Sequence, residues 1–128
     1  MRNILFLLTL VFSIHLFAQV TIVVKELPKE TPKDASIYIS GDFENWSGGQ
    51  EKYQLKLVNG FYTITLPEYE NSILFKFTQG NWKTAESTNQ GVALDNRSHV
   101  YDKKNDTIYL KIKGFSEVNI PWKVSQDM

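Results

Sequence analysis

The chain has 128 residues, with 14 Lys and Arg balanced by 14 Asp and Glu, and no cysteine. A formal net charge of zero lacks the basic surface that nucleic acids and anionic membranes require, so neither class of partner is predicted. Without cysteine there are no disulfides, so a domain of this size must be held by its hydrophobic core alone.

The N-terminal segment predicts a secretory signal peptide. Arg2 precedes an apolar run over residues 4–17, and the small residue Ala18 follows it. This run is too short to span a bilayer of about 30 Å. We therefore expect cleavage after Ala18 and a soluble exported protein. The predicted boundaries are a signal peptide at 1–18, one β-sandwich domain at 19–115, and a C-terminal tail at 116–128.

Alternation of apolar and polar residues with a period of two recurs through the rest of the chain, and no segment keeps a helical period. Asn59-Gly60 predicts a type I′ hairpin, because both central residues of that turn need positive φ. Seven or eight short strands joined by turn-rich loops predict an all-β, two-sheet antiparallel sandwich. The predicted strands are 20–27, 36–41, 53–58, 61–66, 73–78, 82–86, 99–101 and 107–113.

Few residues offer catalytic or metal-binding chemistry. His99 is the one histidine beyond the signal, and it is expected to be a packed or surface residue rather than a base. The sequence has no zinc or calcium motif and no Gly-rich phosphate loop. Asp42 and Glu44 alone do not make the carboxylate pair of a glycosidase, which needs a deep cleft. We therefore predict no cofactor, no metal and no enzymatic activity.

Two tryptophans lie at loop boundaries. Trp46 occurs in GDFENWSGGQ and Trp82 in TQGNWKTAE, both among polar and glycine residues. Such a residue either anchors a loop over the core edge or offers a platform to a flat ligand, and both interpretations remain open for each indole. The presence of two in one small domain favours the platform.

The strand phase of ILFKFT sets the direction of a nearby lysine. Ile73, Phe75 and Phe77 share one face, and Lys76 lies on the other, because successive side chains of a strand alternate. If the aromatic face is core, Lys76 points outward. It is then either a solvated lysine or a polar group of a binding site.

The order of several short motifs resembles the starch- and glycogen-binding carbohydrate-binding modules of families 20 and 48. It is also similar to the glycogen-binding domain of the AMP-activated protein kinase β subunit. The matching motifs cover residues 36–114, almost the whole predicted domain. They are G-D-F-x-N-W at 41–46, the hairpin at 59–60, F-K-F at 75–77, G-x-W at 80–82, and Asn96-Arg97.

The resemblance implies an immunoglobulin-like β-sandwich that binds α-1,4-linked glucans such as starch, glycogen or maltooligosaccharides without cleaving them. By the same resemblance, Trp46 and Trp82 stack on sugar rings, while Lys76 and Asn96 hydrogen-bond glucose hydroxyls. Phe43 is implied to be a core residue that anchors the loop carrying Trp46.

The loop between Trp82 and Asn96 is longer than in many starch-binding modules. Asn89 is therefore an alternative to Asn96 as the loop ligand. Glu86 shares a predicted strand face with Trp82, so it is placed to point into the same groove.

Two alternatives to glucan binding stay open at this stage. One is a sandwich that serves as a protein-interaction or structural module, and the other is an accessory subunit of a glycan-active enzyme supplied in trans. Glycosylation sequons occur at Asn45, Asn96 and Asn105, and glycans on the first two would crowd the proposed site. The binding interpretation thus predicts a bacterial protein that is secreted or periplasmic, where sequons are normally inert.

Overall fold

The structure, a computed structural model, describes residues 18–116. The predicted signal peptide, apart from Ala18, and the predicted tail, apart from Ser116, lie outside the described residues. Within 18–116, no helix has the length and apolar character needed to cross a membrane.

The predicted all-β class is confirmed over the described part of the chain, which contains three short 3₁₀ turns and nine strands rather than the predicted seven or eight. The count is higher because Gly114–Phe115 forms an additional short strand that pairs with Glu86–Ser87. The strands are β1 Gln19–Glu26, β2 Tyr38–Gly41, β3 Lys56–Val58, β4 Phe61–Pro67, β5 Ser72–Thr78, β6 Glu86–Ser87, β7 Arg97–Val100, β8 Asp106–Lys111 and β9 Gly114–Phe115. The 3₁₀ turns are Asp42–Glu44, Glu51–Tyr53 and Trp82–Thr84.

The strands form two main sheets and a small pair. The first sheet has the order β3-β4-β1-β8, the second has the order β2-β5-β7, and β6 pairs with β9. Pairing is antiparallel except between β1 and β8, which run parallel. The fully antiparallel prediction is wrong at that pair. The second sheet lies between β1 and β8 in sequence, and so long a connection lets the chain return in the same direction.

The core forms between the inner faces of the two sheets. Val20, Ile22 and Val24 of β1 are buried, and so are Phe75 and Phe77 of β5, all in one cluster. The two phenylalanine rings meet edge to face, with centroids 5.7 Å apart, the arrangement that aromatic quadrupoles favour. The predicted inward phase of β5 is therefore confirmed, and its outward face is free to carry other residues.

The predicted hairpin between β3 and β4 is also confirmed. Asn59 and Gly60 have φ of 52° and 83°, and Val58 pairs with Phe61 across the turn. A Cβ added at Gly60 would meet nothing within 4 Å. The turn therefore depends on backbone conformation alone, without any packing restriction at the glycine.

The predicted strand at 82–86 is wrong, and this matters for the site. Trp82–Thr84 forms a 3₁₀ turn, and strand pairing begins only at Glu86. The Thr84 hydroxyl accepts a hydrogen bond from the Gln79 N–H at 3.0 Å and donates one to the Asn81 carbonyl at 2.8 Å. Such local side-chain bonds compete with a strand ladder and favour a turn.

Candidate functional site: a paired tryptophan surface

The loop that carries Trp46 wraps around one buried carboxylate, that of Glu44. This carboxylate accepts hydrogen bonds from the N–H groups of Gly41 at 2.9 Å and Ser47 at 3.0 Å. It also accepts bonds from the hydroxyls of Ser40 and Ser47. Hydrogen bonds to a charged acceptor are about twice as strong as neutral ones. Glu44 therefore fixes both ends of the segment between β2 and Gly48.

Trp46 itself adopts an unusual backbone conformation. Asn45 and Trp46 have φ of 58° and 53°, in the left-handed region. For an L-residue other than glycine this conformation costs about 1 to 2 kcal/mol. The Trp46 N–H donates to the Gly41 carbonyl at 3.0 Å, and together with the Glu44 bonds this contact holds the strained turn. Backbone strain of this kind is concentrated at functional sites.

Two contacts hold Trp82 against the same loop. Its indole Nε1–H donates to the Trp46 carbonyl at 2.8 Å. A Cβ added at Gly48 would lie 2.9 Å from the indole Cδ1 and Nε1 atoms, so the ring rests directly on the Gly48 backbone. Trp82 nevertheless remains 39% exposed. The indole is oriented by the protein, yet it presents surface to solvent.

The two indoles form a bent aromatic surface. Their ring centroids are 6.0 Å apart and their planes meet at 41°. Trp46 is half-buried and Trp82 is exposed. We call this pair the tryptophan surface. It offers flat apolar area for stacking, held by contacts that already exist without a ligand.

Lys76 lies on the strand face that the tryptophan loop covers. It pairs with Ser40 of β2 and shares its face of β5 with Thr78. The Thr78 hydroxyl donates to the Gly48 carbonyl at 2.5 Å, and Gly48 in turn supports the Trp82 ring. Lys76 is half-buried, so its outward phase is confirmed, at the base of the tryptophan loop.

Asn96 lies directly before the paired part of β7. Phe75 of β5 and Arg97 of β7 form the last pair between these strands, so continuing the antiparallel register by one residue would set the exposed Asn96 opposite Lys76. Asn89 instead lies at the turn closed by the hydrogen bond from Gly91 N–H to the Thr88 carbonyl. Of the two candidate asparagines, the register favours Asn96.

Glu86 does not point into a surface groove as its predicted strand phase implied. Its side chain is buried, with 1% of the residue exposed. Both carboxylate oxygens accept a hydrogen bond from Arg97 Nε, at 2.9 and 3.1 Å. The prediction differs from the structure because Trp82 is in a turn, so no common strand face links it to Glu86. Glu86 is an interior ion-pair partner.

Sequence reasoning missed three residues that build the site, namely Glu44, Gly48 and Arg97. The Gly48-Gly49 pair after Trp46 carried a detectable signal, because adjacent glycines often mark close backbone approach. Here a Cβ on Gly49 would lie 2.4 Å from the Gly80 carbonyl oxygen. The charged pair Glu86 and Arg97 gave no local signal, since its members are brought together only by the fold.

A cavity lies beside the first residues of the same loop. It has a volume of about 280 Å³ and is lined by Asp42, Phe43, Tyr69, Glu70 and Ser72. Phe43 stacks on Tyr69 with centroids 5.3 Å apart and packs against the core cluster, consistent with its expected anchoring role.

Tyrosines near this cavity favour their neutral forms. Burial, together with the charges of Glu68 and Asp42, raises the pKa of Tyr101 to about 12. Burial and the hydrogen bond with Tyr53 raise the pKa of Tyr69.

Within residues 18–116, no group of three or more His, Asp or Glu is placed to hold a metal ion.

We expect Gly48→Ala to displace the Trp82 indole. The new methyl group would meet the ring at 2.9 Å, and φ of 91° disfavours any side chain there. We expect the displaced ring to make the free energy of ligand binding less favourable by about 1.4 kcal/mol, which corresponds to a tenfold weaker affinity. Circular dichroism of the coupled indoles measures the displacement directly.

Gly60→Ala is the matched control for that variant. Gly60 has a similar φ of 83°, but a Cβ there meets nothing within 4 Å. The control carries the same type of backbone strain without touching an indole. An indole signal that is unchanged in Gly48→Ala, or altered equally in both variants, would contradict the assigned packing.

The fold and the site define an all-β domain with an oriented tryptophan pair, in which Trp82 is exposed and Trp46 half-buried. The domain is similar in sequence to part of α-glucan enzymes. No protein-family model matches the chain. It is 34% identical over 74 residues to an alpha-amylase of Niallia circulans, which covers 56% of this chain and 6% of that protein.

Two 1,4-alpha-glucan branching enzymes of Clostridium perfringens are similar to a shorter stretch. The protein named GlgB is 38% identical over 52 residues, or 39% of this chain and 8% of its own length. One named GlgB 2 is 38% identical over 53 residues, with 40% and 8% covered. The chain thus spans less than a tenth of the length of these bacterial relatives.

Proposed function

We propose that this chain is a non-catalytic module that binds α-1,4-linked glucans at the tryptophan surface. The observation that carries the proposal is the pair of oriented indoles, 6.0 Å apart and inclined at 41°. The relatives named for α-glucan enzymes support the choice of ligand class. The two sheets around one core support an immunoglobulin-like sandwich of the carbohydrate-binding type.

The geometry suits a curved sugar chain. A pyranose has an apolar C–H face and a rim of hydroxyls, so its site needs flat aromatic area and a few fixed polar groups. Two indoles at an angle follow the helical curve of an α-1,4-glucan, whereas a flat β-1,4 chain favours coplanar rings. Trp46 and Trp82 stack on neighbouring glucose units in this proposal.

Polar recognition comes from the strand face beside the indoles. Lys76 follows Phe75 in β5, and Asn96 precedes Arg97, the residue that pairs with Phe75, at the start of β7. Within residues 18–116, no ion pair occupies the Lys76 ammonium group. Both side chains are therefore available to hydrogen-bond glucose hydroxyls. Glu86 has no place in the proposed site because its carboxylate is buried.

The expected affinity is modest. A ring that removes about 100 Å² of apolar surface from water contributes roughly 2 to 3 kcal/mol. Losses of translational and side-chain freedom offset much of the contribution from two rings. A dissociation constant of about 10 μM to 1 mM follows, which is suited to a reversible tether.

Native affinity electrophoresis tests the proposal. We expect the wild-type protein to migrate more slowly in gels that contain amylopectin or glycogen, and at its normal rate in gels with a soluble β-1,4-glucan such as hydroxyethylcellulose. Equal mobility in all gels would rule out the glucan site. The same samples, assayed for new reducing ends, test the non-catalytic part of the proposal, since release of reducing ends would contradict it.

The outer face of the first sheet favours protein interaction as the alternative function. Val58 and Tyr109 are exposed large hydrophobic residues of that face, and Leu57 is exposed on the opposite face of the edge strand β3. Such a surface suits a structural contact or a glycan-active enzyme in trans. We propose that the protein is bacterial and is secreted or periplasmic. In that location it would encounter polymeric glucans and glycan-active enzymes.

A further inference from the structure

We propose that the ion pair between the buried Glu86 and the half-buried Arg97 is a positioning device for the tryptophan surface. It touches no sugar, but it holds the turn that carries Trp82 and the adjoining Asn96 in their binding geometry. This inference rests on the proposed function and deepens it by assigning a role to residues outside the sugar contacts.

The Glu86 carboxylate closes the loop on which Trp82 sits. Its Oε1 atom accepts a hydrogen bond from the Phe77 N–H at 3.3 Å. Phe77 precedes the turn and Glu86 follows it, so one carboxylate ties both ends of the connection. Ser116 secures the far side, because its N–H and hydroxyl donate to the Ala85 carbonyl at 2.9 and 2.7 Å.

Arg97 extends the restraint to the strand that carries Asn96. Its Nε donates to both Glu86 oxygens, and its terminal NH2 group donates to the Lys111 carbonyl at 2.7 Å. Its guanidinium also lies 5.7 Å from the Phe77 ring centroid. The planar, multiply bonded guanidinium has little freedom to rotate. The residue before it, Asn96, therefore starts from a fixed backbone position.

The proposed role of this ion pair is to orient the groups around it through directional hydrogen bonds, rather than to add to the stability of the fold. A buried ion pair is often no more stabilising than apolar residues of similar volume. The Glu86 carboxylate is 1% exposed with Arg97 as its ion-pair partner, and charge-assisted bonds fix orientation as well as distance. Trp82 lies four residues from Glu86, and Asn96 lies next to Arg97. The two proposed sugar-binding side chains, Trp82 and Asn96, are therefore restrained by the same ion pair.

Glu86→Gln and Arg97→Lys test the inference. Glu86→Gln keeps the volume and an acceptor for Phe77, while Arg97→Lys keeps the charge but loses the fork between Glu86 and Lys111. We expect each to weaken amylopectin binding by about tenfold, equivalent to about 1.4 kcal/mol. We also expect each to reduce the exciton circular dichroism of the two indoles in the absence of sugar, at temperatures where the variant is fully folded.

Ile22→Val is the matched control. Ile22 is fully buried in β1 of the first sheet, so the loss of one methyl group destabilises the core without changing a residue of the ion pair. We expect this variant to keep the indole signal and its affinity within about twofold, because the lost methyl group lies in the core and leaves the contacts of both indoles in place. A purely structural pair would make the ion-pair variants behave like this control, and that result would overturn the inference.

The indole signal separates this inference from the proposed function. If the wild-type protein binds no glucan, the proposed function fails, but the sugar-free dichroism still shows whether Glu86 and Arg97 orient Trp82. If Glu86→Gln does not fold, Arg97→Lys decides the question by the same two readouts. Wild-type dichroism and affinity in the folded variants would refute the positioning role.

Discussion

Trp82→Ala is expected to raise the dissociation constant for amylopectin by about 30- to 150-fold, which corresponds to the roughly 2 to 3 kcal/mol from about 100 Å² of stacking surface. The indole is the more exposed member of the pair and is already oriented by Gly48 and by its bond to the Trp46 carbonyl. Its removal takes away one of two stacking rings and the support of the other. Retardation coefficients over a range of amylopectin concentrations measure the change.

Tyr109→Ala is the matched control for the loss of an exposed aromatic ring. Tyr109 is 62% exposed on β8 of the first sheet, where it contacts Lys25 at 5.1 Å from Nζ to ring centroid. We expect unchanged retardation in this variant. Equal losses in both variants would indicate nonspecific adsorption of aromatic surface to the polymer, and no loss in Trp82→Ala would remove Trp82 from the site.

Much of the fold follows from local pattern. The alternation in β1 and β5 and the Asn59-Gly60 turn are each decided by residues close in sequence. The strand at 82–86 failed for a local reason as well, because the Thr84 hydroxyl bonds within its own turn. A period of two over five residues does not distinguish a strand from a 3₁₀ turn with such bonds. The parallel β1–β8 pair depends on the path of the whole chain, which alternation does not report.

The candidate site was predictable in its residue types but not in its geometry. Trp46 and Trp82 stood out as loop tryptophans, and the phase of β5 placed Lys76 outward. Their proximity depends on contacts distant in sequence, such as the bond of 2.8 Å from Trp82 Nε1 to the Trp46 carbonyl. Glu86 was misplaced for the same reason, since burial beside Arg97 is a property of packing.

Glu44→Ala is expected to lower the free energy of unfolding by about 2 to 6 kcal/mol, because two buried donors lose a charged acceptor, at about 1 to 3 kcal/mol for each unsatisfied group. These donors are the Gly41 N–H and the Ser40 hydroxyl, while the N–H and hydroxyl of the exposed Ser47 can bond to water instead. Urea unfolding followed by fluorescence measures the loss. Glu51→Ala, in another 3₁₀ turn with an exposed side chain, is expected to change stability by less than about 0.5 kcal/mol.

The same Glu44 variant is expected to lose retardation by amylopectin while still folded at low temperature. The left-handed conformation of Trp46 costs about 1 to 2 kcal/mol. Without the carboxylate, the hydrogen bonds that offset this cost are absent. Relaxation of that turn moves the carbonyl that accepts the Trp82 Nε1–H bond, so both indoles lose their orientation together. Full affinity in a destabilised Glu44→Ala protein would show that the indoles are oriented without the carboxylate. Loss of affinity in the folded variant would link the buried acid to the sugar surface through the backbone of Trp46.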